Sequence, residues 1–201
     1  MDIYFCNTNH MVNGTSKAGS DIASGTVFAK KPIMFGGNGT TTYSDGTWYT
    51  FNEVVRAFGK RLMREYEFNV AAFGVTENQS IGTGAVSTTT GQALGSGSAT
   101  IAFTGRVAGY TSKWGLEQAS GNHWTWGADS VGSQGNAWLN VNGGRGQVFG
   151  IANASPIRVV LGGGRANAAF SGSRASLWSF YPWDFNWSVG VRAVCDHMVL
   201  V

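Results

Sequence analysis

The most regular hydrophobic pattern in the chain predicts a helix that begins near Thr50. Thr50 and Glu53 have the spacing of a capping box, in which the threonine hydroxyl accepts a hydrogen bond from the backbone of residue 53 and the carboxylate reaches back. Gly59 follows the pattern and is suited to the left-handed conformation that ends helices. Apolar residues fall on one face of this helix, at intervals of three and four: Phe51, Val54, Val55 and Phe58.

A second helix is predicted from Met63 to Phe73, with Tyr66, Val70 and Phe73 along one face and Gly74 at its end. Outside these two helices the chain has short apolar runs that predict strands. The predicted strands are Met1 to Phe5, Thr26 to Met34 and Ala99 to Val107.

Glycine-rich and polar stretches separate these elements. They predict a turn at Gly36 to Gly39, a long surface excursion from Val75 to Gly97, and a connection from Gly135 to Gly150. We find no internal repeat and no dividing linker. The sequence therefore predicts a single domain over residues 1–201.

The last quarter of the chain, Arg158 to Val201, has a different organisation. An apolar run leads into the glycines 162–164, and a second apolar run covers Gly190 to Val194. The segment between them is rich in Trp, Phe, Tyr, Ser and Asn and has little regular period. Two framing strands around such a segment indicate a rigid scaffold that presents a recognition surface.

Composition excludes several classes of protein. Only 12% of residues are charged, the net charge of +3 is spread along the chain, and 43% of residues are hydrophobic. This balance argues against nucleic-acid binding and against disorder. The chain has no continuous apolar run long enough for a membrane span, and its first residues lack the pattern of a signal peptide.

Candidate catalytic and metal-binding residues are few. The histidines His10, His123 and His197 show no spacing that pairs them as metal ligands. Cys195 lies in an apolar run, so we interpret it as a core thiol rather than a nucleophile. Asp196 is interpreted as fixing a loop or a strand end by hydrogen bonds. The sequence thus predicts no catalytic residue, no metal and no cofactor.

Two tryptophans and three carboxylates could suggest a sugar site. Trp124 and Trp126 occupy alternate positions in the sequence. They could stack on a sugar or lie in the core, and we favour the core. Glu117, Asp129 and Asp184 lack the spacing of a calcium site such as those of carbohydrate-binding lectins.

Three segments in order carry a resemblance to a known fold. Ala57 to Phe68 (AFGKRLMREYEF) is similar to the motif GKRLPTEAEWE, with Met63 and Arg64 in place of the proline and threonine. Trp114 to Trp126 resembles WGLYDMSGNVWEW. Arg158 to Gly163 together with Gly190 to Arg192 resembles the closing strands RVLRGG…GFR.

These motifs are shared by formylglycine-generating enzymes and by the variable proteins of diversity-generating retroelements. The resemblance implies an α+β, C-type-lectin-like fold, with two helices packed on small antiparallel sheets and extensive loop structure. The enzymes of this group carry a cysteine pair after the RGG motif. The corresponding stretch here, GGGRANAAFSG, has none.

The C-terminal segment narrows the resemblance to the variable proteins. Ser171 to Ala175, Trp178 and the run GVRAVCDH at residues 190–197 resemble the receptor-binding end of phage proteins in that family. There, adenine-directed mutagenesis rewrites selected codons while the backbone stays fixed. The resemblance implies a variable ligand-binding region at about 162–190, with these positions variable: Gly164, Ala166, Asn167, Ala168, Phe170, Leu177, Ser179, Phe180, Asp184, Asn186, Ser188 and Val189.

Because of this resemblance we expect the apolar members of the set, Phe170, Leu177, Phe180 and Val189, to be exposed. Residues 183–188 also alternate between aromatic and polar side chains. If this segment is extended, Asp184, Asn186 and Ser188 lie on one face and the aromatic residues on the other.

The resemblance implies a hypervariable receptor-binding protein at the tail tip of a phage or prophage particle. Its expected partner is a protein or glycan on a target cell, and its expected assembly is a homo-oligomer, a trimer if it follows the family. Two alternatives remain open: an oxidase related to the formylglycine-generating enzymes, and a structural virion protein that binds no receptor.

Overall fold

The computed structural model describes residues 1–80, 109–131, 134–140, 147–151 and 157–196. The described helices are α1 (His10–Asn13), α2 (Trp48–Arg56) and α3 (Glu65–Ala71), with single 3-10 turns at Ile33–Phe35 and Ala168–Phe170. The described strands are β1 (Arg61–Leu62), β2 (Trp124–Val131), β3 (Gln134–Asn140), β4 (Gln147–Ile151), β5 (Ile157–Leu161), β6 (Ser176–Phe180), β7 (Val189–Gly190) and β8 (Ala193–Val194).

The central sheet has the strand order β6-β5-β2-β7. Its β2–β5 and β5–β6 pairs are antiparallel, whereas β7 runs parallel to β2. Two small antiparallel sheets, β1–β8 and β3–β4, accompany it. The predicted α+β class is confirmed.

The central sheet lies between α2 and α3. Successive side chains of β5 point to opposite faces of the sheet, so β5 contacts both helices. Val160 packs in a buried cluster with Phe51, Val54 and Val55 of α2. Val159 and Leu161 pack in a second cluster with Phe68 of α3. Both faces of the sheet are therefore buried along β5.

Helix α2 begins one turn earlier than the sequence predicts. Its N-cap is Thr47, whose hydroxyl accepts a hydrogen bond from the Thr50 backbone at 3.3 Å. Glu53 instead accepts a hydrogen bond from the Tyr43 hydroxyl at 2.6 Å, so the predicted Thr50–Glu53 capping box is wrong. Three of the four predicted stripe residues are confirmed, since Phe51, Val54 and Val55 are buried, and Gly59 has the predicted left-handed conformation with a φ of +66°. Phe58 is half-buried and follows the end of the helix at Arg56.

Helix α3 is shorter than predicted, and the face that was predicted to pack on the core is turned to solvent. Tyr66, Val70 and Phe73 are 62%, 65% and 54% exposed, so they do not lie against the core. The core contact is made by Phe68, whose ring packs so closely on Gly162 that a Cβ there would lie 2.8 Å from the ring. The apolar spacing indicates a face of the helix but does not say which face meets the sheet.

Three predicted segments differ in the structure. Met1 to Phe5 is not a strand, although Asp2 donates a backbone hydrogen bond to Ala193 at 2.8 Å. Thr26 to Met34 holds one isolated bridge, between Lys30 and Thr42, and the start of a 3-10 turn. The predicted connection at 135–150 contains the β3–β4 hairpin. Residues 99–107 and most of the excursion at 75–97 lie outside the described residues.

A buried guanidinium joins the N-terminal segment to the core. Arg192 is fully buried; its Nη1 donates to the Ile3 carbonyl at 2.5 Å, and its Nη2 donates to the carbonyls of Glu117 and Gln118. The guanidinium lies 3.9 Å from the Phe5 ring centroid. Burial lowers the pKa of Arg192 to about 9, so the group stays charged at neutral pH. These bonds fix three separate segments at one point.

His123 lies next to this cluster, with its ring centroid 5.7 Å from that of Phe5. Burial and, to a smaller extent, the positive charge of Arg192 together lower the pKa of His123 to about 4, against a hydrogen bond with the Trp187 backbone that raises it. The imidazole is therefore neutral in the folded protein at physiological pH. It is a structural residue of the core.

The depressed pKa of His123 makes stability depend on pH. The unfolded chain takes up a proton near the ordinary value of 6.5, whereas the folded chain does so only near 4. Stability is therefore complete above pH 6.5 and is lost as pH falls toward 4. Between pH 7 and pH 5 this amounts to about 2 kcal/mol of unfolding free energy.

Urea denaturation at pH 7, 6 and 5 measures this change. His10, whose pKa burial also lowers, adds to it in the same direction. The variant His123→Gln is expected to lose most of the pH dependence. An unchanged slope in that variant would contradict the assignment.

Candidate ligand-binding face

Two loops near the C-terminal ends of β5 and β6 carry most of the predicted variable positions. The first loop (residues 162–175) leaves β5 through Gly162 and Gly163, whose φ angles are +94° and +88°. A Cβ on Gly163 would lie 2.3 Å from the Ser171 hydroxyl oxygen. Both the conformation and the space therefore require glycine at Gly163.

Trp124, the first residue of β2, holds both loops. Its indole Nε1 donates to Asn167 Oδ1 of the first loop at 3.0 Å. Its backbone N–H donates to the Ser188 carbonyl of the second loop (residues 181–188) at 2.7 Å. Asn167 Oδ1 also accepts from the Gly164 backbone at 2.9 Å. One buried residue thus sets the position of both loops relative to the sheet.

The second loop contains turns and is not a strand, so the condition under which its residues were predicted to divide between two strand faces is not met. Asp184 Oδ2 accepts a hydrogen bond from the Tyr181 backbone at 2.8 Å. Asn186 Oδ1 accepts from both the backbone and the hydroxyl of Ser188 at 2.9 Å. The polar side chains close turns of their own loop, and Trp183 and Phe185 are exposed.

The N-terminal part of the chain supports the second loop from behind. Gly25 donates a backbone hydrogen bond to the Asn186 carbonyl at 3.0 Å. A Cβ on Gly25 would lie 2.2 Å from the Asn186 nitrogen, so only glycine allows this approach. The Trp48 backbone at the start of α2 donates to the Pro182 carbonyl at 3.2 Å.

The segment 76–80 supports the first loop. The Glu77 carboxylate accepts hydrogen bonds from the Ser173 backbone at 3.0 Å and from the Ser173 hydroxyl at 2.5 Å. The Asn78 backbone donates to the Ser171 carbonyl at 2.9 Å, and the Ser80 hydroxyl donates to the Arg165 carbonyl at 2.5 Å. These contacts fix the loop backbone without using the side chains of residues 166–170.

The structure divides the predicted variable set by exposure. Ala166, Phe170 and Ser179 are exposed, and Phe170 is the most exposed of them at 78%. Gly164 and Val189 are buried. Ala168 lies in the 3-10 turn 168–170, and its side chain is outside the described set. The partly exposed members are Asn167, Leu177, Phe180, Asp184, Asn186 and Ser188.

The expected exposure of the apolar members is confirmed for Phe170 and wrong for Val189. Val189 is fully buried because β7 pairs it with Trp124 and places it in the cluster beneath α2. Leu177 and Phe180 are half-buried against the same cluster. The Phe180 ring meets Trp126 edge to face, with 5.6 Å between centroids.

The exposed rings of Trp183 and Phe185 were missed at the sequence level. The alternation of these aromatic residues with Asp184 and Asn186 was the available signal. It does not show that the aromatic rings are exposed, because the hydrogen bonds that turn the polar side chains toward their own loop cannot be predicted from it. Tyr181 stacks on Trp183 with 5.1 Å between ring centroids and nearly parallel planes. By contrast, the prediction that Trp124 and Trp126 are core residues is confirmed.

The structure places several of the candidate catalytic and metal-binding residues. No group of three His, Cys, Asp or Glu residues within the described ranges could hold a metal ion. Burial raises the pKa of the Cys6 thiol to about 12. Cys195 is exposed just after β8, so its predicted place in the core is wrong. His197 lies outside the described residues.

Asp196 accepts a hydrogen bond from Arg61 Nε at 2.8 Å, which confirms its predicted role at a strand end.

In the part of the chain that the structure covers, no helix is long and apolar enough to cross a membrane. The arrangement presents exposed side chains on a fixed backbone and assembles no reactive group among the described residues.

Comparisons with known proteins agree with this architecture. No known family profile matches the chain. It is 44% identical over 201 residues to the tail fiber receptor-binding protein of Bordetella phage BPP-1, an alignment that covers 99% of this chain and 50% of that protein.

Solved structures of the Major Tropism Determinant are similar to this chain along nearly its whole length. The M1 variant matches with a TM-score of 0.78 and 39% identity over 100% of this chain and 50% of its own. The U1 variant matches with a TM-score of 0.77 and 41% identity over 99% and 50%. The chain spans about half the length of these relatives. Over that half, the chain is similar to the major tropism determinants and has a C-type-lectin-like fold.

Proposed function

We propose that this chain is the receptor-binding domain of a phage or prophage tail protein, and that its ligand is a protein or glycan on the surface of a bacterial cell. The observation that carries the proposal is the separation between backbone and side chains at the two loops. Buried residues and backbone hydrogen bonds hold the loops, while Ala166 and Phe170 of the first loop, and Ser179 of the adjoining strand β6, are exposed to solvent. The name of the matched relative, a tail fiber receptor-binding protein, supports the same function.

The exposed side chains have the composition of a binding face. Phe170, Trp183 and Phe185 supply large apolar contact areas, and Ser179 supplies a small polar group. Aromatic anchors among small polar residues are typical of evolved binding surfaces. A face of this size binds weakly by itself, so we propose that the chain acts as a homo-oligomer, a trimer as the resemblance implied, and gains affinity from several copies.

We further propose that a retroelement diversifies the outward positions. Diversification requires sites where a new side chain leaves the fold intact. Exposed substitutions away from caps and buried bonds usually change stability by less than about 0.5 kcal/mol. Ala166, Phe170 and Ser179 meet this condition by their exposure. Asn167 does not, because its side chain accepts the Trp124 and Gly164 hydrogen bonds.

Replacement of an exposed anchor tests the binding function. The variant Phe170→Ala is expected to weaken binding of the fluorescently labelled full chain to intact host cells by roughly tenfold, because a large apolar contact is lost. Its melting temperature should stay within about 2 °C of the native value. The control Arg174→Gln alters an exposed residue of the same loop outside the predicted set, and binding should be retained. An equal loss in both variants, or none in either, would count against the proposal.

Replacement of Glu77 tests whether the loop is held as described. In Glu77→Gln, amide hydrogen exchange at Gly172 and Ser173 should rise about fivefold, because a charged acceptor worth about 1 kcal/mol at an exposed site is removed. The control Glu65→Gln changes a carboxylate on α3 and should leave exchange in the first loop as it is. If exchange at these amides is the same in both variants, Glu77 does not hold the loop.

A further inference from the structure

Arg158 uses little of its hydrogen-bonding capacity, although it lies beside the proposed binding face. It pairs across the sheet with Phe180, so the two side chains emerge on the same face. Its guanidinium carbon lies 3.9 Å from the centroid of the Trp48 ring. Among the described residues its one hydrogen bond is long, from Nη1 to the Ala128 carbonyl at 3.5 Å, and the buried Nε has no acceptor.

No carboxylate among the described residues neutralises this cation. The ion pairs recorded there join Lys60 to Asp2 and Arg61 to both Glu67 and Asp196. Burial lowers the pKa of Arg158, as expected for a half-buried guanidinium without an anionic partner. Desolvating a charge without a partner costs free energy, and an incoming anion would recover part of it.

The Trp48 ring that stacks on Arg158 links it to further aromatic residues. Tyr49 is exposed and meets the Trp48 ring edge to face, with 5.5 Å between centroids. The hydrogen bond from Trp48 to Pro182 brings the start of α2 against the second loop, where the Tyr181–Trp183 stack lies. The cation therefore stacks on Trp48, and Trp48 meets the exposed ring of Tyr49. The exposed ring of Trp183 follows Pro182, whose carbonyl accepts the hydrogen bond from the Trp48 backbone.

We propose that Arg158, with Tyr49 and Trp183, forms a fixed subsite for a carboxylated sugar of a surface polysaccharide. The carboxylate would accept hydrogen bonds from the terminal guanidinium nitrogens, and the apolar face of the pyranose ring would lie on an exposed aromatic ring. An aspartate or glutamate of a protein ligand needs only the cation. A rigid ring that carries a carboxylate uses both the cation and the flat rings, which is why we commit to the sugar.

This inference rests on the proposed function for its biological meaning and adds a ligand class to it. None of the three residues belongs to the predicted variable set. The subsite would therefore contribute a constant part of the binding, while the outward loop positions supply the part that changes.

Calorimetric titration of the full chain with defined oligosaccharides tests the subsite. The probes are hexasaccharides containing glucuronic acid or sialic acid, the same molecules with their carboxyl groups reduced to alcohols, and a hexaglutamate peptide. We expect at least one acidic saccharide to bind and its reduced form to bind at least tenfold more weakly. Arg158→Met and Tyr49→Ala should each weaken binding at least fivefold, while the control Arg174→Met should bind as the native chain does.

A second variant keeps the test decisive if Arg158→Met fails to fold. Arg158→Lys preserves the charge but cannot present two parallel donors, and should bind about threefold more weakly. Binding of neither acidic saccharide, equal binding of the reduced form, or tighter binding of hexaglutamate would each overturn the subsite. So would native affinity in the folded Arg158 variants.

Host-cell binding separates this subsite from the proposed function. If Phe170→Ala abolishes binding to cells and the Arg158 variants do not alter it, the receptor-binding function stands and the subsite is wrong. If the chain binds no cells but binds an acidic saccharide through Arg158, the subsite stands and the receptor-binding function is wrong.

Discussion

The two hydrogen bonds made by Trp124 are the constraint on which the proposed binding face depends. The indole holds the first loop through Asn167, and the backbone N–H holds the second loop through Ser188. Loops rich in Gly, Ser and Asn would otherwise sample many conformations, and ligand binding would have to overcome that entropy. Trp124 is itself buried beside Val189 in the core beneath α2, so the position of both loops is tied to the stability of the domain.

The same arrangement explains how a binding face can change without loss of the fold. Gly25, Gly163 and Trp124 act through backbone contacts and buried surface, and their replacement would disturb the loops. Phe170 and Ser179 make their contacts with solvent instead. The structure also refines the family's pattern, because Asn167, Asp184 and Asn186 use their side chains to close turns. Tolerance to substitution therefore differs among the predicted variable positions.

Patterns of neighbouring residues predicted the features that depend on neighbouring residues alone. The buried stripe of α2, the left-handed Gly59 and the core position of Trp126 follow from spacing and residue type. The orientation of α3 could not be predicted in this way, since Tyr66 and Phe68 are both apolar and only packing on Gly162 selects Phe68. Similarly, Val189 is buried because β7 pairs with a strand more than sixty residues away in sequence, and Arg158 was seen only as a strand residue. The motif resemblance supplied the fold, which composition alone left open.

We propose that the outward side chains of the first loop and of β6 vary while the frame that holds them stays constant. Sequencing the genome around this gene tests it most directly. The account predicts a nearby reverse transcriptase gene and a near-copy of the codons for about residues 162–201. That near-copy should differ from the gene at adenines in the codons for Ala166, Phe170 and Ser179, and should match it at those for Gly162, Gly163 and Trp178. A neighbourhood without a near-copy, or a near-copy whose differences fall on the frame codons, would contradict the account.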